Sequence, residues 1–206
     1  MKISVIMLTY NHERFIEKAI NSVLEQTYDD FELFVVNDGS TDATGSIINN
    51  IFDKRITYIY QENKGLDNLA KSYNHALSRC TGEYIAILEG DDYWDKKKLE
   101  YQVSMLDIRA DIIWSKSYYV NSKDKVTGRS TVHVSQDKGN LEDLIKNGFL
   151  YGNLVTPSPT VMFKKESLNI IGGFVDYEGV KVVDYSTALS LLLNNGKYQF
   201  IDEYIG

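Results

Sequence analysis

Three carboxylates stand within four residues of one another, directly after an apolar run at residues 84–88. They are Glu89, Asp91 and Asp92, in the stretch ILEGDDYW. Like charges at this spacing repel and raise one another's pKa, so the group does not stabilise a fold by itself. A hard divalent cation would hold such carboxylates together, because Mg²⁺ and Mn²⁺ take oxygen ligands and then present positive charge to a phosphate group. The stretch therefore predicts a Mg²⁺ or Mn²⁺ site at the end of a strand.

Polar residues also follow two earlier apolar runs. Thr9, Tyr10 and Asn11 follow the first run, and Asp38 follows the second, within VVNDGSTD. One polar loop would mean little, because loops are generally polar, but ligands of a parallel sheet bind beyond the carboxyl ends of its strands. The sequence has no G-x-G-x-x-G or G-x-x-x-x-G-K-[ST] stretch to cradle phosphates. The pattern predicts a nucleotide site in which a cation meets the diphosphate.

Apolar runs and amphipathic stretches alternate through the first half of the chain, and these elements would position the polar groups. The predicted strands span 3–8, 31–36, 56–60 and 84–88, with a fifth inside 111–120, and the predicted helices span 13–26, 42–52, 67–79 and 97–109. Ser40 or Thr41 would cap the second helix, and Asp95 the fourth. This alternation indicates βαβ units and a mostly parallel sheet. The strands are continuously apolar, as expected when helices cover both faces.

The second half is less regular, which predicts a smaller mixed region beside the parallel sheet. Residues 121–140 are polar and predict an exposed excursion, while residues 156–160 contain both prolines and predict an extended connector. Helices are predicted at 141–147 and 183–193, and strands at 161–163 and 198–201. The fold class that follows is α/β, with a Rossmann-like, mostly parallel central sheet flanked by helices.

Composition narrows the class of protein. The 206 residues suit a single domain, and 43% of them are apolar, enough for a substantial core. The net charge of −7 without a basic stripe argues against nucleic acid as a partner. Cys80 is the only cysteine, which indicates a reducing compartment. The first apolar stretch is short and broken by Ser4 and Thr9, so we expect a strand rather than a signal peptide. We therefore expect a cytoplasmic protein, which could contact the inner face of the membrane.

Five stretches occur in an order and spacing that resembles a known family. They are SVIMLTYN, VVNDGSTD, GEYIAILEGDDYW, GGF and VVDYSTALSL. Their order is similar to that of the family 2 glycosyltransferases of the GT-A fold, of the bacterial polysaccharide type. The resemblance covers essentially the whole chain, most clearly residues 1–106. It departs at Glu89, where the family's D-x-D-D element begins with aspartate, and at Val183, which precedes Asp184 where the family has a second acid.

The resemblance implies a role for each candidate residue. Asp184 would be the catalytic general base, and Asp92 would bind Mn²⁺ or Mg²⁺. The residues expected to contact the nucleotide are Thr9, Tyr10, Asn11, Asp38 and Asp91. Among them, Asp38 would accept the N3–H of uracil, Tyr10 would stack on the base and Asp91 would contact the ribose. Further candidates for the site are Glu89, Asn68 and Lys64.

The implied activity is transfer of a sugar from a nucleoside diphosphate sugar, a UDP-sugar in particular, to an acceptor hydroxyl. The cation would stabilise the departing diphosphate, and Asp184 would remove the proton from the acceptor. Inversion at the anomeric carbon is what the family implies. Residues 1–106 would form the nucleotide-sugar-binding half, and residues 107–206 the acceptor-binding and catalytic-base half, of one domain. The acceptor could be a saccharide, a lipid-linked sugar or a protein.

Other interpretations remain open on the sequence alone. Asp38 could form an Asx-turn, and Asp184 could serve only to favour the dipole of its helix. Val183 in place of an acid leaves open an inactive nucleotide-sugar-binding module. A sugar-phosphate nucleotidyltransferase would also pair a metal with a nucleotide, although the stretch LTYNHERF lacks the glycine-rich, basic loop that this class needs for a triphosphate.

Overall fold

The computed structural model describes residues 1–130, 138–142, 144, 158–178, 180 and 182–205, which form a mixed α/β fold. The strands in these ranges are β1 (Ile3–Thr9), β2 (Phe31–Asp38), β3 (Ile56–Gln61), β4 (Tyr84–Glu89), β5 (Ile112–Lys116), β6 (Tyr118–Val120), β7 (Val126–Arg129), β8 (Lys138–Gly139), β9 (Met162–Lys164) and β10 (Tyr198–Tyr204). The helices are α1 (Ile16–Leu24), α2 (Thr44–Asn49), α3 (Leu69–Leu77), α4 (Lys98–Met105), α5 (Lys165–Ile170) and α6 (Val183–Leu193). Short 3₁₀ turns span Leu66–Asn68 and Ser158–Thr160.

Eight strands form one sheet in the order β3-β2-β1-β4-β9-β5-β10-β8. β1 pairs in parallel with β2 and β4, β2 with β3, and β5 with β10. β9 runs antiparallel to both β4 and β5, and β8 runs antiparallel to β10. The first five strands and β10 therefore point the same way, and their carboxyl ends share one edge. The prediction of a mostly parallel sheet with a mixed second half is confirmed.

Apolar cores lie on both faces of the sheet. One core packs α3 and α6 against the strands through Tyr73, Leu191 and Phe163, and the other packs α1 and α4 through Ile20 and Leu99. Every residue of β1 is buried as a result. This explains why the strands read as continuous apolar runs, since an alternating pattern would place polar side chains inside one of the two cores.

All four helices of the first half are shorter than predicted, and for two of them local contacts give the reason. α4 stops at Met105 rather than at residue 109, because Leu106 is extended with ψ of 122°. The Asp107 carboxylate then accepts hydrogen bonds from the backbone N–H and the guanidinium of Arg109. α2 is confined to Thr44–Asn49, and neither predicted residue caps it. The carboxylate of Asp42 instead accepts the Thr44 N–H at 2.9 Å. Local side-chain bonds to the backbone thus end or start these helices where periodicity alone gave no signal.

The stretch 111–120 contains two strands rather than one. β5 stays in the main sheet, while β6 pairs antiparallel with β7 to form a separate hairpin. Residues 158–160 form a 3₁₀ turn, so the predicted extended connector is wrong there, and its first two residues lie outside the described ranges. Most of the predicted helix at 141–147 also lies outside them. Among the helices that the structure describes, none is long and apolar enough to cross a membrane.

Candidate active site

A cavity of about 430 Å³ opens at the carboxyl edge of the sheet. The register of the strands brings their ends level there, with Thr9 opposite Asn37 and Leu8 opposite Glu89. The lining residues are Leu8, Thr9, Tyr10, His12, Asp38, Asn63, Gly65, Leu66, Leu69, Tyr73, Ile87, Glu89, Val182, Val183 and Asp184. Residues from both halves of the chain therefore line one cavity, because α6 returns to the edge where β1, β2 and β4 end.

Asp38 stands on a tight turn at the end of β2. Gly39 has φ of 71°, and a Cβ there would lie 2.6 Å from the backbone N of Asn63, so only glycine fits this turn. The buried Asp38 Oδ1 accepts a hydrogen bond from the Gln61 amide at 2.5 Å. The backbone N–H of Lys64 donates to the same carboxylate, with its nitrogen 3.1 Å from Oδ1 and 3.2 Å from Oδ2. A carboxylate has about four acceptor positions, so Oδ2 retains capacity for another donor from the cavity.

Two buried polar atoms in the lining have no hydrogen-bond partner among the described residues. They are Thr9 Oγ1 and His12 Nδ1. The chain passes close beside them, since a Cβ at Gly90 would lie 2.5 Å from the first atom and 2.8 Å from the second. Buried polar groups normally have partners, so a ligand that brings polar atoms into this cavity would satisfy both.

Glu89 is a carboxyl group of the cavity with a strongly raised pKa. Its pKa is raised to about 8, chiefly by burial and also by the negative charges of Asp184, Asp92 and Asp91, while a hydrogen bond from Tyr73 opposes the shift. The Tyr73 hydroxyl donates to Glu89 Oε1 at 2.8 Å, and burial together with Glu89 raises the pKa of that tyrosine well above its usual range. At neutral pH Glu89 therefore holds a proton in the free protein.

A divalent cation at Asp92 would meet one partly buried carboxylate. Burial and the neighbouring Asp91 raise the pKa of Asp92 to about 6, which indicates negative charge that nearby cations do not compensate. Asp91 is exposed, and its Oδ1 lies 4.0 Å from His12 Nδ1. In the part of the chain that the structure describes, no three His, Cys, Asp or Glu side chains are grouped to hold a metal by themselves. A cation here would complete its oxygen ligands from the diphosphate or from water.

Asp184 lies in the first turn of α6, buried, with the Tyr185 N–H donating to its Oδ1 at 2.8 Å. A loop docks this helix against α3. The Asn74 side chain accepts the N–H of Phe174 at 2.7 Å and donates to the carbonyl of the same residue at 2.9 Å, and Thr187 Oγ1 accepts the N–H of the next residue at 3.1 Å. The position of Asp184 at the cavity therefore depends on contacts between elements about a hundred residues apart.

Five of the candidate residues lie outside the lining of this cavity. They are Asn11, Asp91, Asp92, Asn68 and Lys64. Asn11 Oδ1 accepts the Thr41 N–H at 2.8 Å and so joins two loops, while Lys64 contributes its backbone N–H to Asp38. The Asn68 amide donates to the Lys64 carbonyl at 2.9 Å. Asp91 and Asp92 border a neighbouring cavity.

Reasoning from the sequence missed two residues that shape the site. Gln61 supports Asp38, and Tyr73 supports Glu89. Gln61 ends β3 at the same edge of the sheet, so the rule that led to the other strand ends could have found it. Tyr73 occupies an inward position of α3 that apolar spacing assigns to the core, and only its packing against β4 reveals the hydrogen bond.

Comparison with known proteins identifies the family to which a chain with this site belongs. The model of a family described as "Glycosyl transferase family 2" matches residues 4–171. The uncharacterized glycosyltransferase alr2836 of Nostoc sp. is 41% identical over 103 residues, covering 48% of this chain and 31% of that protein. The Escherichia coli UDP-Glc:alpha-D-GlcNAc-diphosphoundecaprenol beta-1,3-glucosyltransferase WfaP is 31% identical over 190 residues, covering 92% of this chain and 70% of its own.

A solved structure extends this similarity to the fold. The crystal structure of S. aureus TarS 1-349 in complex with UDP superimposes with a TM-score of 0.77 at 26% identity, covering 100% of this chain and 59% of that one. The chain thus spans about a third of the Nostoc relative and somewhat over half of the TarS fragment. The fold is the GT-A fold that the resemblance implied, and the chain belongs to glycosyl transferase family 2.

Proposed function

We propose that this chain transfers a sugar from a UDP-sugar to an acceptor hydroxyl, with inversion and with a divalent cation. The observation that carries the proposal is the single cavity that joins Asp38, the unpartnered Thr9 Oγ1 and Asp184 at the carboxyl edge of a parallel sheet. TarS, a relative in fold and sequence, has been crystallised with UDP and with UDP-GlcNAc, which supports this class of donor.

The uracil base would lie against Tyr10 and Asp38. Asp38 Oδ2 has capacity for one more donor, and the N3–H of uracil is a donor that cytosine lacks. A hydrogen bond to a carboxylate is stronger than one between neutral groups, so this contact would select the base. Tyr10 is 45% exposed at the mouth of the cavity, which leaves a ring face open for stacking.

Asp184 would act as the general base. Asp38, Glu89 and Asp184 are the carboxyl groups in the lining, and Asp38 is committed to backbone and amide donors. Glu89 has a pKa of about 8 and therefore carries a proton at neutral pH. That leaves Asp184 to take the proton from the acceptor hydroxyl as its oxygen bonds to the anomeric carbon and the bond to the diphosphate breaks. Attack opposite the leaving group inverts this carbon.

Asp92 would hold Mn²⁺ or Mg²⁺, which when bound supplies positive charge to the departing diphosphate. Asp91, exposed and next to it, would contact the ribose. Residues 1–106 would then serve the donor, and residues 107–206 the acceptor and the base, within one domain. WfaP is named for an acceptor linked to diphosphoundecaprenol, which supports a lipid-linked saccharide as acceptor. An acceptor of this kind would bring the chain to the inner face of the membrane.

The test compares UDP release with UDP affinity in matched variants. We expect Asp184→Asn to lower the release of UDP from a UDP-sugar by about 10²–10⁴-fold, the usual range for a general base, with the Kd of UDP measured by calorimetry unchanged. Glu178→Gln, an exposed carboxyl before α6, is the control and should keep wild-type release. Wild-type release by Asp184→Asn would remove Asp184 from this role. A wild type that binds UDP and releases none from any UDP-sugar would indicate the inactive binding module.

A further inference from the structure

A second cavity lies beside the first, on the far side of the β4 end. It measures about 420 Å³, and its lining includes Asp91, Asp92, Tyr93, Tyr118 and Tyr119. A neighbouring cavity of about 440 Å³ shares Asp92 and the three tyrosines with it. The two cavities adjoin at these shared residues, and we call them together the hairpin groove, after the β6–β7 hairpin whose residues line both.

The hairpin presents a half-exposed tyrosine ring, Tyr119, which lies beside Gly128 of the paired strand. Tyr118 stacks on Tyr204 with ring centroids 4.7 Å apart, and the Lys18 ammonium lies 3.4 Å from the centroid of the Tyr93 ring. Within the described ranges, no other ring or cation packs on Tyr119, whose side chain is 49% exposed. Tyr119 therefore offers an open, rigid apolar face with a hydroxyl at its edge.

The charges around the groove favour a neutral ligand rich in hydroxyl groups. The cations in its lining are Arg14, Lys18 and Lys96, and the ammonium groups of Lys18 and Lys96 are paired with Asp124 and Glu25 respectively. Asp91 and Asp92 outnumber the remaining cation, so an anionic polymer or an anionic lipid surface would meet net repulsion. Sugar hydroxyls, in contrast, donate well to carboxylates, and the C–H face of a sugar ring can pack on an aromatic side chain.

The groove approaches the first cavity, which we call the donor cavity because the proposed UDP-sugar would bind there. Asp91 lines the groove, His12 lines the donor cavity, and their facing side-chain atoms are 4.0 Å apart. Asp92 in the groove and Asp184 in the donor cavity also lie close enough to Glu89 for both charges to act on it. A molecule in the groove would therefore reach the place where the proposed base and the donor sugar meet.

We propose that the hairpin groove binds the saccharide part of the acceptor, with a sugar ring packed on Tyr119. This inference rests on the proposed glycosyl transfer, since the groove is identified by its position beside the donor cavity. The ligand class is a neutral oligosaccharide, and Tyr119 determines acceptor affinity rather than donor affinity.

Saturation-transfer NMR tests this directly, with maltotetraose, cellotetraose and chitotetraose as probes and UDP with Mn²⁺ in the same samples. We expect transfer to at least one tetrasaccharide in the wild type, about tenfold weaker binding in Tyr119→Ala and retained binding in Tyr119→Phe. Tyr60→Ala is the matched control, because Tyr60 is an exposed tyrosine, 63% exposed, on the edge strand β3. UDP should bind equally to all four proteins and should not displace the saccharide.

Each result decides one of the two proposals. Binding of UDP without transfer to any tetrasaccharide, or equal saccharide binding by Tyr119→Ala, would overturn the groove assignment and leave the donor site standing. Displacement of the saccharide by UDP would also overturn it, because the sugar would then occupy the donor cavity. The wild type could instead bind no saccharide but sediment with phosphatidylglycerol vesicles, and Tyr119→Ala could abolish that sedimentation. The hairpin would then be a membrane contact and not a saccharide site. Failure of the wild type to bind UDP would count against the proposed function itself.

Discussion

Replacing Glu89 by Gln should change how the stability of this protein depends on pH. The folded protein raises the pKa of Glu89 from 4.5 to about 8, chiefly through burial. Below pH 4.5 the side chain is protonated in both the folded and unfolded states, so no cost arises there. As pH rises from 4.5 towards 8, the unfolded chain ionises while the folded chain keeps its proton, so stability falls over this window.

The size of the fall follows from the two pKa values. At about 1.36 kcal/mol per pH unit, the interval between 4.5 and about 8 corresponds to roughly 5 kcal/mol. Part of the Glu89 side chain reaches the open cavity, so solvent reduces the effect, and we expect about 2–4 kcal/mol. Glutamine keeps an oxygen that can accept from the Tyr73 hydroxyl and carries no proton to lose. Glu89→Gln should thus match the wild type near pH 5 and exceed it at pH 8.5.

Urea unfolding of both proteins at pH 5 and pH 8.5, with EDTA present to exclude metal, measures the effect. Glu62→Gln serves as the control, because Glu62 is an exposed glutamate one residue after β3. The stability gap between Glu89→Gln and the wild type should widen with pH, whereas the gap for Glu62→Gln should stay within about 0.5 kcal/mol, as is usual for surface substitutions. A gap for Glu89→Gln that stays equally constant would refute the raised pKa of Glu89, and with it the burial that is its chief cause.

Three further predictions address the donor site and its support. Asp38→Ala should weaken UDP binding, and CDP should bind the wild type poorly because a buried carboxylate oxygen would face an acceptor nitrogen; equal Kd values for UDP and CDP in calorimetry would contradict this. In the wild type, UDP at about 100 times its Kd should stabilise the protein by roughly 2.7 kcal/mol, and Mn²⁺ should increase the stabilisation that UDP gives. Asp92→Asn should abolish this effect of Mn²⁺ on thermal stability. A metal effect that survives the substitution would place the cation elsewhere. Asn74→Ala should destabilise the fold by about 1–3 kcal/mol, because the N–H and C=O of Phe174 lose their partner, and a ΔG of unfolding equal to that of the wild type would show that the loop docks by other contacts.

The order of strands and helices in the first half could be read from the sequence because it depends on local patterns. Continuous apolar runs marked β1, β2 and β4, as two-sided burial of a parallel sheet requires, and apolar spacing marked the helices between the strands. The span of α6 was also predicted correctly at Val183–Leu193, since its apolar residues are followed by the stop signal at Asn194 and Asn195.

The sequence could predict that the candidate site lies at the carboxyl edge of the sheet. Asp38 follows β2 and Glu89 ends β4, and a parallel sheet must bring such positions together whatever else the chain does. The resemblance added Asp184, which no local pattern would have separated from an ordinary acid in a first helical turn. The chemical roles of these residues stay proposals, and the experiments above test them.

Only the tertiary structure decided how the acidic residues divide. Glu89 faces the donor cavity with Tyr73, while Asp91 and Asp92 border the hairpin groove, although three positions at most separate them in the chain. The pKa of Glu89 depends on how far burial excludes water and on charges brought from Asp184 by α6. Spacing in a sequence fixes neither solvent access nor the distance between elements a hundred residues apart. Sequence thus determined which groups could do the chemistry, and packing determined which of them hold a proton, face a ligand or support the fold.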